Sequence, residues 1–308
     1  MRISPCLGGG AAVIAAASLL CGIGAAKAQE LEPRAYSASP IGTNFLISGF
    51  SDTSGSVALD PSLPITGVKT KIDVYNIGYQ HSFDLLGRSA SAAILAPYFS
   101  AELKGQLETQ NQRLIRSGLG DVRIRLAANL FGGPALTPAE FMRRQPNTTL
   151  GVSLIIIAPT GQYEPQRLVN ISSHRWAFKP EIGLSQPLGN WFAEAYAGAW
   201  VFANNDDYFR GYVRSQDPIY AFELHGGYTF RPGLWLAADA TYYIGGKTSI
   251  NGVPAPNYQK SSRFGLTMSV PIAPGFAVKL TWARWLTGRF AVHYQTVGVT
   301  LQYRWFNP

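Results

Sequence analysis

The chain has 308 residues, of which 46% are hydrophobic and only 14% charged, with a formal net charge of +8. Soluble domains carry about 25% charged residues, so this composition argues that much of the surface meets lipid. No Lys/Arg run with interleaved aromatics is present, which argues against nucleic-acid binding. Cys6 and Cys21 both fall within the first thirty residues, which leaves the rest of the chain without a disulfide, a thiolate metal site or a cysteine nucleophile.

Residues 1–28 read as a secretory signal. Arg2 supplies the positive start, residues 11–24 are apolar, and Ala26-Lys27-Ala28 fits an A-x-A site with cleavage before Gln29. Cys21 follows Ser18-Leu19-Leu20, which lacks the small residue expected before a lipidated cysteine. No other apolar run approaches the roughly 18–20 residues a membrane helix needs. Residues 29–42 are expected to form a periplasmic lead-in, followed by strands throughout 43–306.

Period-two alternation places strands near 43–52, 68–83, 89–104, 118–131, 147–159, 174–186 and 190–203. In the second, the parity slips around Val74 and Tyr75, which predicts a bulge. The fourth is the cleanest, with Val122, Ile124, Leu126, Ala128 and Leu130 opposite Asp121, Arg123, Arg125 and Asn129. Next comes the hairpin of residues 220–246. Phe222, Leu224, Tyr228 and Phe230 oppose Glu223, His225, Thr229 and Arg231, and after the turn Arg231-Pro232-Gly233, Leu236, Ala238 and Tyr242 oppose Asp239 and Thr241. Strands near 261–272, 275–286 and 293–306 complete twelve, an even number as single-chain bacterial barrels require.

Connections alternate in length. Those at Gly87, Gly189, Pro232-Gly233 and Pro274-Gly275 are short, whereas 53–67, 105–117, 160–173, 204–218 and 247–260 are long and polar. Short periplasmic turns and long outer loops mark a transmembrane β-barrel, and residues 132–146 are an inner exception, with a short helix over Thr137–Met142. Closure satisfies every backbone group in lipid and removes exposed edges. The expected fold is therefore an all-β, antiparallel, up-and-down transmembrane barrel.

Several motifs resemble the outer-membrane proteins of the meta-pathway of phenol degradation. They are Gly118-Leu119-Gly120-Asp121, Ala158-Pro159-Thr160-Gly161, His174-Arg175-Trp176-Ala177-Phe178-Lys179-Pro180, the run Trp235–Tyr243, and Leu301-Gln302-Tyr303-Arg304-Trp305. The resemblance covers roughly residues 31–306. It implies an outer-membrane transporter that handles aromatic compounds. Barrels of this class commonly finish on an aromatic residue read by the assembly machinery, and here Asn307-Pro308 follow Phe306.

By parity the inward charges are Glu102, Lys104, Asp121, Arg123, Arg125, Arg175, Lys179, Glu181, Glu194, Glu223, Arg231, Asp239, Arg263, Lys279 and Arg304, with His225 among them. Nine are basic and six acidic. This set suits either a charge-lined pore that favours anions or a salt-bridge network that fills the lumen. Phe192, Tyr196 and Trp200 offer aromatic contacts to a ligand if that strand faces inward as read. The expected function is passive or gated passage of small aromatic, hydrophobic or anionic molecules, with no cofactor and no metal. The expected partners are outer-membrane lipid, the assembly machinery through the last strand, and a solute that the sequence does not identify. Two rivals stand. One is a structural or adhesive barrel with a plugged lumen. The other is an outer-membrane lipid hydrolase drawing on His174 or His293 with Ser172, Ser173 or Thr296, for which no G-x-S-x-G occurs.

Overall fold

The computed structural model describes residues 32–57, 65–107, 110–288 and 291–307. The signal-peptide reading of 1–28 lies outside them, as does the side chain of His293.

The wall begins with three long strands, β1 (Thr43–Val57), β2 (Ile65–Leu85) and β3 (Arg88–Leu107). The fourth wall strand is broken into β4 (Gln110–Leu119) and β5 (Val122–Phe131), whose two halves pair with the outer and inner parts of β3. There follow β6 (Thr149–Ala158), β7 (Ala177–Leu188) and β8 (Trp191–Phe202). Above the wall are short strands β9 (Asn205–Tyr208) and β10 (Tyr212–Gln216), then the hairpin β11 (Ile219–Arg231) and β12 (Leu234–Gly245). Two more short strands, β13 (Thr248–Ile250) and β14 (Val253–Pro254), precede β15 (Gln259–Ala273), β16 (Phe276–Gly288) and β17 (Ala291–Phe306). Each wall strand pairs antiparallel with its neighbours, and β1 pairs with β17, so twelve strands close the barrel among the described residues.

The alternation seen in the sequence is the cause of this wall. Leu224, Phe222, Leu236, Leu266, Leu280 and Val299 point outward and are exposed, while Glu223, His225, Asp239 and Thr267 point inward and are buried. An isolated chain leaves its lipid face bare, so exposed apolar side chains here mark the surface that lipid covers. The turn between β2 and β3 is two residues long, with Leu86 at φ 53° and Gly87 at φ 77°. Two consecutive positive φ values give the turn whose twist matches a β-hairpin.

Two expectations need correction. No bulge occurs at Val74–Tyr75, where β2 keeps continuous register with both neighbours. Residues 105–117 are no simple loop, since 110–119 form β4. One physical reason covers both. β2 has 21 residues, whereas about 9–11 suffice to span a bilayer as a tilted strand. Beyond the membrane the polarity of the sheet inverts. Val74, Ile72, Ala101 and Leu103 form a buried cluster on the inner face, with Phe99 and Leu114 beside it. Lys71 and Lys104 face outward in water, more than half exposed, with Glu102 between them. Glu102 and Lys104 are therefore outside the barrel and not in its lumen.

The β5–β6 connection carries helix α1 (Pro138–Arg143). Thr137 caps it, and the Glu140 carboxylate accepts from the Thr137 N–H at 2.9 Å. That reciprocal pair satisfies two of the donors a helix start leaves open. The same connection holds the periplasmic end together: Leu136 accepts from Ile41 N–H at 2.9 Å, and Gly133 accepts from Ser89 N–H at 2.9 Å.

Candidate functional site: a charged and partly filled lumen

Residues 32–40 do more than lead into β1. They fold inside the wall and cross the bore in its periplasmic half, where the sequence reading had set them in the periplasm. Tyr36 is 2% exposed. Its hydroxyl donates to Glu181 Oε1 at 2.8 Å and lies 2.8 Å from Ser153 Oγ. Its ring meets the Tyr196 ring edge-on at 4.9 Å, and the Arg125 guanidinium lies 5.3 Å from its centroid. Gly151 and Gly183, on adjacent strands, make the space: a methyl group on either would overlap the Tyr36 ring. Burial, reinforced by Glu181, pushes the Tyr36 phenol well up, so it stays protonated and a donor.

Arg34 anchors the far side of the same segment. Its backbone N–H donates to Glu194 Oε2 at 2.6 Å, and its guanidinium donates to Thr229 Oγ1 at 3.1 Å. The guanidinium lies over the Phe192 ring at 4.6 Å and near the Trp235 ring at 5.5 Å. Burial lowers the Arg34 pKa and Glu194 opposes the shift. An arginine stays charged under either influence.

A chain of ionic contacts runs around the wall from β7 to β15. Lys179 Nζ lies 2.6 Å from Glu181 Oε2 and 2.8 Å from Glu223 Oε1. His225 Nδ1 is 2.7 Å from Asp239 Oδ1, and Thr267 donates to Asp239 Oδ2 at 2.7 Å. Ser185 and Tyr196 both donate to Glu194, at 2.7 and 2.6 Å. All these carboxylates are buried, and each has a partner, as buried charge requires. Above this layer, toward the outer rim, Ile155, Ala177, Trp200, Ile219, Ala221 and Tyr243 form an apolar layer, with Trp285 packed against it.

Between the inserted segment and the arc β16–β17–β1–β2–β3–β5 lies a cavity of about 430 Å³. Arg123, Arg125 and Lys279 line it, with Gln80 and Gln302, and Phe45, Ile47 and Leu95 supply apolar surface. Lys179, Glu181 and Glu223 border it on the opposite side.

The expected lumen set thus divides. Lys179, Glu181, Glu223, His225, Asp239 and Arg263 are buried inside the wall. Arg175 is buried at the outer rim, bonded to Gln216 and over the Phe202 ring. Phe192, Tyr196 and Trp200 also face inward and are buried, so strand β8 has the faces read from its sequence. Besides Glu102 and Lys104, three residues stand elsewhere. The Asp121 carboxylate is taken up by the outer loop, accepting from Gly161 N at 3.0 Å, Ser172 Oγ at 2.6 Å, Ser173 N at 3.0 Å and Ser173 Oγ at 3.1 Å. Arg231 is exposed at the periplasmic turn, where a register shift between Thr229 and Arg231 breaks its alignment. Arg304 is exposed at the periplasmic rim, 5.4 Å from the Phe306 ring. Strand ends leave the bore even where parity points inward. Sequence reasoning missed Arg34, Tyr36 and Ser153. Inserted residues carry no alternation, and the two glycines that receive Tyr36 lie more than a hundred positions away.

The rival hydrolase residues have structural partners. Ser172 and Ser173 donate to Asp121, and the His174 ring stacks on Tyr163 at 4.4 Å.

A sealed antiparallel wall, apolar outside and charged within, defines an outer-membrane β-barrel. The profile of the family described as "Putative MetA-pathway of phenol degradation" matches residues 48–305, and the chain belongs to that family. Its structure is similar to the COG4313 outer membrane channel from Pseudomonas putida F1, at 20% identity and a TM-score of 0.77, covering 90% of this chain and 100% of that one. It is also similar to the beta domain of the Bordetella autotransporter BrkA, at 13% identity and a TM-score of 0.53, over 86% of this chain and 100% of that one. At these identities the likeness establishes the fold. No curated protein matches the chain.

Proposed function

We propose that the protein is a non-enzymatic channel of a Gram-negative outer membrane that passes small aromatic or anionic molecules. The carrying observation is the cavity of about 430 Å³ within the wall, where Arg123, Arg125 and Lys279 face it alongside Phe45, Ile47 and Leu95. Cations beside apolar surface suit a solute with an aromatic body and a negative group. The segment 32–40 narrows this path from one side, so passage depends on its position. The family description, with its mention of phenol degradation, supports an aromatic solute.

Purified protein in planar bilayers should conduct with anion preference, and a variant lacking residues 32–38 should conduct more per channel. Absence of conductance, together with no uptake of aromatic acids by proteoliposomes, would remove this reading. A surface-recognition role is the second reading. It is favoured by the outer loops, which build their own four-stranded sheet from β9, β10, β13 and β14. A barrel that is silent in bilayers but holds cells to a surface would support it.

A further inference from the structure

The Tyr36 side chain is a phenol seated in a built socket. Gly151 and Gly183 leave the space for its ring, and Tyr196 closes one edge. The socket offers the hydroxyl two complementary groups. Glu181 Oε1 accepts its proton at 2.8 Å, and Ser153 Oγ, at 2.8 Å, is placed to donate to its oxygen. Arg125 lies 5.3 Å from the ring centroid. Nothing in this arrangement requires that the ring be tethered to the chain. Ring, donor and acceptor are all met by protein groups of the wall, and the socket borders the lumen cavity, which both Tyr36 and Glu181 line.

We infer that this socket is a binding site for free neutral phenols, occupied in the resting barrel by the chain's own tyrosine, and that a phenolic solute from the cavity displaces Tyr36. This deepens the channel reading, on which only the consequence for passage rests; the site itself is independent of conduction. Selectivity follows from the two polar groups. A phenol satisfies both. Toluene offers no hydroxyl to Ser153 Oγ or to Glu181 Oε1, and buried polar atoms are costly to leave unmet. Benzoate sets a carboxylate against Glu181, which is repulsive. A tethered competitor acts at an effective concentration on the order of millimolar, so free phenols act on the wild type in that range.

Two measurements in detergent test the site without reference to conduction. In the wild type, trypsin cleavage after Arg34 reports release of the segment, because Arg34 is now held against Glu194, Phe192 and Trp235. Millimolar p-cresol should speed that cleavage, and toluene or benzoate at equal concentration should not. In Tyr36→Gly the socket is emptied by one p-cresol, the isostere of the lost side chain. p-Cresol should then bind saturably, at a concentration about tenfold lower than acts on the wild type, since no tethered ring competes. Adding Gly183→Val should abolish the binding. If p-cresol neither speeds cleavage of the wild type nor binds Tyr36→Gly, or if toluene matches it in both, the inference is overturned. Saturable phenol binding with no conductance would keep the site and remove the channel reading. Conductance without phenol binding would do the reverse.

Discussion

The ammonium of Lys179 reaches Glu223 across the strand that separates them. Lys179 is on β7 and Glu223 on β11, with β8 between, and the two atoms are 2.8 Å apart. Gly198 of β8 allows the crossing: a methyl group there would stand 3.0 Å from Lys179 Cε. One cation thus ties β7 to β11 over the intervening β8, and it also pairs with Glu181 of its own strand at 2.6 Å.

Removing that cation leaves two buried carboxylates facing each other. Lys179→Met should therefore destabilise the barrel by about 3–5 kcal/mol, the range for breaking a buried pair from one side. The triple change Lys179→Met, Glu181→Gln, Glu223→Gln should recover most of the loss. Urea unfolding in lipid vesicles measures both. A single change that costs nothing would show that the network does not hold the wall.

Arg123 and Arg125 line the cavity on β5. Arg123→Glu with Arg125→Glu should shift ion selectivity toward cations, read as a change in reversal potential under a KCl gradient. Lys279→Glu, from the other side of the same cavity, should add to the shift. Unchanged selectivity would show that ions pass elsewhere.

Asp121 clasps the loop 160–174 with its two carboxylate oxygens, which accept from two backbone amides and two serine hydroxyls. Asp121→Asn halves the accepting capacity and introduces donors that meet donors. Trypsin should then cut at Arg167 faster than in the wild type, while heat-modified migration of the barrel is unchanged. Equal cleavage rates would show that the clasp does not hold the loop.

The Glu140 carboxyl is held below its ordinary value of 4.5 by the Thr137 N–H and then by the Thr137 hydroxyl. A depressed pKa means that the contribution to helix α1 is present above the ordinary value and is lost as pH falls through the lower folded one. The protection factors of the amides of residues 140–142, taken against the intrinsic exchange rate at each pH, should accordingly fall on acidification below about pH 4.5. In Thr137→Ala, exchange should be fast already at neutral pH and show little of this pH step.

Much of this was legible from alternation alone. The hairpin 220–246 has its turn and, apart from Arg231 at the periplasmic rim, both faces as read, because the membrane requires one face to be apolar. The same rule failed in β2 and β3, where the strands run past the lipid and Val74, Ile72 and Leu103 turn inward. β4 went unseen because its outer face, at Asn111 and Arg113, is as polar as a loop and meets water. Among the site residues, Lys179, Glu223, His225 and Asp239 followed from parity. Tyr36 did not, since its socket is assembled from Gly151, Ser153 and Glu181, which only closure of the wall brings to it.

Tyr36 stands seven positions before Thr43, where β1 begins to pair with Phe306 of β17. The inserted segment is thus tied to the seam that closes the barrel. Seven residues at full extension reach about 25 Å. A ring pulled from its socket stays within that distance of the periplasmic mouth, and chains of this length revisit their own contacts in roughly 10–100 ns. The device resets itself: each vacancy left by a departing solute is met first by the tyrosine that was displaced, so the barrel needs no second signal to close.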